Sequence, residues 1–483
     1  MFRPQSVCRR LTVVAMGLIA GCAALKPVSA THDTGIVAPG DPSNVAFLDT
    51  LQRRTFDWFW ETSNPANGLT PDRTPNPPFA SIAAVGFALT AYPVGVERQY
   101  VTRGAATQRV LATLRFFWRA PQGADSVGVT GYHGFFYHFL DMETGRRYRN
   151  TELSTIDTAL LMGGVLFCQQ YFDRSSADEV EIRALADSLY RRVDWKWIQA
   201  TSSRVTMSWR PERGFGTSEY KGYDEAMLLY LLALGSPTHP MDASAWTAFT
   251  ETYQWGTFEG FTMVNFAPLF GHQYSHLWVD FRGIRDPYMR TRGIDYFENS
   301  RRATLSQRAY ATENASRYRD YSERIWGLTA ADGPKDTLMT RDGAPWRLHT
   351  YWARGAALGD VRDDGTLAPT AAGGSIPFAP DITISALRTM RETYGERIFN
   401  RYGFIDSFNP TLRDTTIRVR RGRIHPDAGW FDDNQLGIDQ GPIIGMAENY
   451  RTELVWQAMK RQPYLVRGLC RAGFTGGWME NRC

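Results

Sequence analysis

Apolar residues recur along this chain at three- and four-residue steps, the spacing of one buried helical face. The pattern predicts helices over residues 45–60, 107–118, 154–171, 180–197, 223–234, 244–253, 302–314, 380–394 and 442–459. Strand-like alternation is brief, at residues 203–208 and 416–420. Two stretches, 160–167 and 227–234, are apolar with almost no polar face, which suits helices buried on all sides. Long loops rich in Gly, Pro and aromatics separate the helices, at 64–79, 130–149, 209–221, 266–285, 332–376 and 404–440. Loops of that length in a compact domain are functional or disordered, and their aromatic content argues against disorder. The predicted fold is therefore one all-α domain over residues 45–483, with a cleft built by loops. Apolar helices ringed by amphipathic ones fit an α/α toroid, whose inner helices would bring their N-termini to one rim.

The first residues read differently. Arg3, Arg9 and Arg10 precede a short apolar run that is too brief to span a bilayer. It ends in Ile19-Ala20-Gly21-Cys22, which resembles a bacterial lipobox. This predicts a signal peptide over 1–21, lipidation at Cys22 and a Pro/Gly-bearing tether over 22–44. The expected location is the periplasm or outer membrane. Cleavage after Val28-Ser29-Ala30 is the competing reading. Cys168 sits in an apolar helical stretch and is expected as a buried thiol, while Cys470 and Cys483 could pair in an oxidising compartment.

Charge narrows the partners. The formal net charge of the 483 residues is +4, with no basic stripe, so a nucleic-acid partner is not expected. Aromatic residues make up 13% of the chain, with 15 Trp and 22 Tyr. Their flat apolar faces and polar tips suit sugar rings, although a large core also uses them as filler.

Three acidic segments open predicted apolar helices: Glu152-Leu153-Ser154-Thr155-Ile156-Asp157, Gly222-Tyr223-Asp224-Glu225, and Gly437-Ile438-Asp439-Gln440-Gly441-Pro442. Each alone has a structural explanation, as a capping box, an N-cap or a turn. Together, three helix-start carboxylates converging on one rim would supply what glycosidic cleavage needs. That is an acid to protonate the leaving oxygen and a carboxylate to activate water or attack carbon. Tyr223 is a candidate for the apolar burial that keeps such an acid protonated. The loop from Phe270 to Arg282 is the densest polar-aromatic cluster. Within it His272, Gln273, His276, Asp280 and Arg282 are candidates to hydrogen-bond sugar hydroxyls, and Tyr274 and Trp278 to stack on rings. A loop stitched by its own hydrogen bonds is the alternative. The two His four apart lack the acidic or cysteine partners of a metal site, so no metal or other cofactor is expected. Trp326-Gly327-Leu328-Thr329 with Asp332-Gly333, and Gly373 to Pro380, are further cleft candidates.

The segments STIDTALL (154–161), GYDEAMLLYLLALGSPTHP (222–240), FGHQYSHLWVDFRGIRD (270–286), YFENSRRATLSQRAY (296–310), WGLTAADGP (326–334) and GIDQGPIIGMAENYRT (437–452) carry a further reading. With them the chain resembles the glucoamylase-like family, which includes the bacterial endo-β-1,2-glucanases of glycoside hydrolase family 144 and a module of cyclic β-1,2-glucan synthases. The resemblance runs from about residue 47 to about residue 462. It implies an (α/α)6 barrel, an anomer-inverting hydrolase without metal, and β-1,2-glucan or its oligosaccharides as substrate. It also implies Glu225 as general acid, Asp439 as the base candidate, and Asp157 and Glu152 as cleft carboxylates. Rival expectations are a glycan-binding surface lipoprotein without catalysis, a β-1,2-glucan transglycosylase, and a polysaccharide lyase. A monomer is expected.

Overall fold

The computed structural model describes residues 42–75, 79–200 and 202–483. Cys22, the signal peptide and most of the tether lie outside the described residues. Helices dominate. Four of them, Ile82–Glu97, Thr155–Tyr171, Met227–Gly235 and Gly437–Thr452, are buried on nearly every face. Pro42–Thr62, Arg103–Arg119, Ala177–Arg192 and Pro380–Tyr394 bury one stripe each and pack outside them.

The buried Ile82–Glu97 helix has no counterpart among the predicted elements. Its residues are apolar on every face, so a search for a single apolar stripe finds no period there. It packs against Thr155–Tyr171 and Gly437–Thr452 at very short range. A Cβ added to Gly164 would lie 2.2 Å from the carbonyl oxygen of Gly86, and one on Gly86 would lie 2.3 Å from that of Leu160. Both are glycine because two backbones meet there.

The helices predicted at 154–171 and 380–394 are observed almost unchanged. The one predicted at 180–197 ends at Arg192, after which Val193 is extended. The one predicted at 442–459 is broken at Glu453, whose φ of 60° ends Gly437–Thr452 before Leu454–Met459 begins. The loops hold many short two- and three-stranded ladders that the alternation did not show, so the chain is helix-rich with β-stitched loops.

Those ladders position the helix starts. Phe79–Ser81 pairs with Phe139–Asp141 just before Ile82–Glu97 begins. Leu153–Ser154 pairs with Ser208–Arg210 just before Thr155–Tyr171. Arg73–Thr74 pairs with Gln435–Leu436 just before Gly437–Thr452, and the Gly437 N–H donates to the Asp72 carbonyl at 2.9 Å. The N-termini of three buried helices are thus tied to one another's flanking loops, as a shared rim requires. Cys470 and Cys483 form a disulfide, and Cys168 is a buried free thiol. No helix among the described residues is long and apolar enough to cross a membrane.

Candidate active site

Two carboxyl groups sit at helix starts that the Tyr274-Ser275 segment links by hydrogen bonds. On one side, the turn Tyr223-Asp224-Glu225 leads into Met227–Gly235. Asp224 Oδ1 accepts the Ala226 N–H at 2.8 Å, so the turn is fixed by its own side chain. Ser275 Oγ donates to the Glu225 carbonyl at 2.9 Å and accepts the Leu228 N–H at 2.9 Å. Burial pushes the Glu225 carboxyl up to about 7, and the charge of Asp157 adds to the shift. Asp224 beside it is also held well above the usual carboxylate range, by burial and by Glu225. Glu225 itself is only half-buried, so its carboxyl is kept from bulk water yet remains reachable.

Asp157 and Glu152 flank this acid with a different charge balance. Ser154 caps its helix by accepting the Asp157 N–H at 3.3 Å, and its hydroxyl donates back to the Asp157 carboxylate. His138 Nδ1 lies 2.9 Å from Glu152 Oε1, and His138 Nε2 lies 3.7 Å from Asp157 Oδ2. Arg210 donates to Glu152 Oε2 at 2.9 Å. Burial works against a charged imidazole here. Asp157 and the hydrogen bond to Glu152 outweigh it, so His138 is raised to about 9. Burial likewise opposes the Glu152 charge, but His138 and Arg210 prevail and hold it down at about 2. At neutral pH His138 is therefore an imidazolium beside the Glu152 carboxylate, with Asp157 at its other nitrogen.

On the other side, Asp439 lies in the first turn of Gly437–Thr452. Its carbonyl accepts from Thr370 Oγ1 at 3.2 Å. Burial raises its carboxyl to about 7, with Asp332 and Asp432 pushing the same way. A hydrogen bond with Asp406 and the charge of Arg73 oppose the rise. Asp406 is held well above its ordinary value by burial and by Asp439. One oxygen of each carboxyl, Asp406 Oδ1 and Asp439 Oδ2, is buried with no donor from any other group. A single proton on Asp406, donated to Asp439, satisfies both. Asp406 Oδ2 accepts the Asp332 N–H at 2.7 Å, which fixes the acid's orientation.

Carboxylate oxygens of Asp332, Asp406 and Asp432 lie within 4.8 Å of one another, close enough to hold a cation. Arg73 already forms an ion pair with Asp332 and another with Asp72 at 2.8 Å, and Arg421 approaches Asp332 at 3.6 Å. The two arginines and the proton on Asp406 therefore offset most of the local negative charge.

Tyr274 joins the halves. Its hydroxyl donates to the Ile438 carbonyl at 3.1 Å, and it is within electrostatic reach of Asp439, Glu225 and Asp157. The three carboxylates singled out from the sequence thus all act electrostatically on one tyrosine.

Most of the other predicted sugar contacts are placed elsewhere, and here the structure corrects the sequence reading. Trp278 is fully buried, stacked on Phe87 at 5.4 Å, with its indole N–H given to Thr90. His272 is buried against Tyr223 with Nε2 3.1 Å from the Phe266 carbonyl, and burial lowers it to about 4. His276 is buried with Nε2 3.0 Å from Ser300 Oγ, and burial lowers it to about 3. Both rings are neutral props. Gln273 bridges to the Ala371 carbonyl and Ser375 hydroxyl, each at 2.8 Å. Gln440 donates to the Phe404 carbonyl at 2.8 Å, and Trp326 lies in the core. Tyr223 is buried with its hydroxyl 3.3 Å from Ser300 Oγ. Asp280 pairs with Arg282 at 2.7 Å and Lys460 at 2.6 Å. Arg282 in turn reaches Glu453 at 2.8 Å. Glu453 caps the far end of the helix whose first turn holds Asp439, so this ion-pair group is roughly 21 Å away along the axis. The 270–282 loop is therefore scaffold around Tyr274, tied to the surrounding helices and loops by its side-chain hydrogen bonds and ion pairs.

Several residues now at the centre were not singled out: His138, Arg210, Arg73, Asp406, Asp432 and Arg421. The aspartates of Phe404-Ile405-Asp406 and Asp432-Asp433-Asn434, spaced through one aromatic-rich loop, were the available signal.

Comparison with known proteins agrees with this picture. The profile of the Glycoamylase family, described as "Putative glucoamylase", matches residues 217–463. A crystal structure from Bacteroides uniformis, under the same glucoamylase description, is 31% identical with a TM-score of 0.77, covering 91% of this chain and 100% of that one. The endo-β-1,2-glucanase of Chitinophaga pinensis, solved with sophorotriose and glucose, is 26% identical with a TM-score of 0.76, covering 91% and 100%. An exo β-1,2-glucooligosaccharide sophorohydrolase of Parabacteroides distasonis is 29% identical over 456 residues, or 87% of this chain. The match spans only 57% of that relative's length. From the profile match and from motifs that fall on the observed helix starts, the chain belongs to the glucoamylase-like family.

Proposed function

We propose that this chain is a glycoside hydrolase that cleaves β-1,2-glucan or its oligosaccharides, on an (α/α)6 toroid whose inner-helix N-termini form the cleft. The observation that carries the reading is Glu225, a half-buried and reachable carboxyl that holds its proton near neutral pH and is linked through Tyr274-Ser275 to the helix start that holds Asp439. Glu225 protonates the glycosidic oxygen. The Asp439 carboxylate, steadied by the proton of Asp406, accepts a proton from the attacking water. Asp157 and Glu152, oriented by His138, bind sugar hydroxyls beside the acid. Inversion is the stereochemical course that the family resemblance implies, with a water between Glu225 and Asp439. The β-1,2 linkage rests on the activities named for the relatives.

The same proposal places the protein outside the cytoplasm, as a monomer lipidated at Cys22 in the periplasm or outer membrane. The lipobox-like sequence supports this, and the Cys470–Cys483 disulfide suits an oxidising compartment.

Two assays test the activity. The unaltered protein is incubated with β-1,2-, β-1,3-, β-1,4- and β-1,6-glucans and starch, and products are separated by chromatography. Only the β-1,2 substrate is expected to yield short oligosaccharides, with the α-anomer appearing first by NMR. Glu225→Gln is expected to lose about 10²–10⁴-fold in kcat while remaining folded by circular dichroism. Wild-type turnover in that variant removes the acid assignment.

A further inference from the structure

Tyr351 stands apart from the other aromatic residues near the site. It is 49% exposed, while Tyr220, Tyr223 and Tyr274 are buried. Its ring has no aromatic partner and its hydroxyl no hydrogen bond among the described residues. Yet its strongest electrostatic neighbours are Asp439, Asp406, Asp72 and Asp332, and it also acts on Tyr274. An aromatic face is therefore presented to solvent within electrostatic reach of the base-side carboxylates.

Its place follows from the strand register. Ala330–Ala331 pairs antiparallel with Trp352–Ala353, and Ala331 faces Trp352. Asp332 directly follows Ala331 and Tyr351 directly precedes Trp352, so the two flank the same end of this short ladder. Asp332 is buried, held by Arg73, and its N–H fixes Asp406. Tyr351 is thus connected through one ladder to the group that carries Asp439.

The backbone around Tyr351 is clamped although its side chain is free. Thr350 donates to Asp336 through its N–H at 3.0 Å and its hydroxyl at 2.7 Å. Arg354 donates to the His349 carbonyl at 3.1 Å and the Thr350 carbonyl at 3.3 Å. A Cβ on Gly333 would fall 2.2 Å from the His349 carbonyl oxygen, so the loop lies flat on its neighbour. His349 and Trp352, which bracket the tyrosine in sequence, stack on each other at 4.0 Å. A ring held on a fixed loop loses little freedom when it meets a ligand, which favours binding.

We infer that Tyr351 is a stacking platform for a glucosyl ring bound next to the scissile linkage on the Asp439 side. A pyranose offers a flat apolar face of C–H groups, and an exposed tyrosine offers the matching surface with a polar edge toward the carboxylates. The inference rests on the glucan reading and extends it to a specific subsite.

The test uses Glu225→Gln protein, which is expected to bind without turning over, and a β-1,2-linked glucooligosaccharide as probe in isothermal titration. Adding Tyr351→Ala is expected to weaken binding about tenfold, and Tyr351→Phe to restore it to within about twofold, because the ring and not the hydroxyl makes the contact. In the active enzyme, Tyr351→Ala is expected to raise KM more than it lowers kcat. Because the side chain is half exposed, the variant should melt at the wild-type temperature, which separates a binding loss from misfolding. Equal affinity of the Ala variant overturns the assignment and leaves the hydrolase intact. So does a Phe variant as weak as Ala, which would transfer the contact to the hydroxyl. If the unaltered protein neither cleaves nor binds the β-1,2 probe, the substrate reading falls and the platform with it.

Discussion

A carboxyl group that donates a proton at neutral pH has to be shielded from water and kept beside negative rather than positive charge. Glu225 meets both conditions through burial and the nearby negative charge of Asp157. The sign of its effect on rate follows. Only the protonated form can act, and its pKa is raised to about 7. The kcat/KM profile is therefore expected to fall above about pH 7, roughly tenfold per pH unit, and the alkaline limb should vanish in Glu225→Gln. Asp406 controls the other limb. It donates to the Asp439 carboxylate and so lowers the Asp439 pKa below what burial alone would impose. Asp406→Ala removes that donor, and the acid limb is expected to move upward by about one to two pH units, the worth of one charge-assisted hydrogen bond. Asp406→Asn keeps an N–H donor and should restore most of the shift. Initial-rate profiles for the three proteins decide it; an unmoved acid limb in the alanine variant would remove Asp406 from this role. At this scale the helix-start carboxylates were legible in the sequence, because a charged residue opening an apolar helix stands out. Asp406, Asp432 and His138 were not, because they reach the site from loops whose course no periodicity encodes. Trp278 and His276 misled for the converse reason: their types suit a sugar, and only their burial shows that the fold uses them.

Helix starts can share a rim only if the buried helices lie close and nearly in register. Gly86 and Gly164 bring Ile82–Glu97 and Thr155–Tyr171 to backbone contact. The second of these helices carries Asp157 in its first turn. Gly164→Ala places a methyl against the Gly86 carbonyl, and backbone cannot yield as a flexible side chain does. The variant is expected to lose about 1–3 kcal/mol of stability. It should also lose activity beyond what the unfolded fraction explains, because the strain moves the Asp157 end of the helix. Thermal melts and kcat measured on the folded fraction would check this; a stable variant with wild-type kcat would show that the two helices have slack. The amphipathic outer helices were readable from one apolar stripe each. The Ile82–Glu97 helix was hidden by its lack of any polar face, and Pro93 inside it added a false stop signal. Glu453 in the left-handed region split what read as one helix into two, a backbone feature that side-chain pattern does not carry.

Across the described molecule, chemistry and bracing occupy opposite ends of the buried helices. The carboxylates lie at their N-termini. At the other end, a Cβ on Gly235, the last residue of Met227–Gly235, would meet the Tyr464 carbonyl at 2.0 Å, so that helix runs directly into Pro463–Arg471. The disulfide joins Cys470 of that C-terminal helix to Cys483 across 13 residues of sequence. Between them, Thr475 pairs with Arg285, which ties the closing segment to the loop after Asp280. The cross-link therefore restrains the end of the fold that carries no catalytic group. Closing a loop of this length in the unfolded chain is worth about 3 kcal/mol on the chain-entropy account. Cys483→Ser is accordingly expected to lower the melting temperature by several degrees, and reducing agent should do the same to the unaltered protein but not to the variant. Turnover at 25 °C should stay at the wild-type value in both, because Asp439, in the first turn of its helix, lies roughly 20 Å from the far end. A fall in kcat without a fall in melting temperature would mean that the two ends communicate, and the division of labour along the helices would have to be given up.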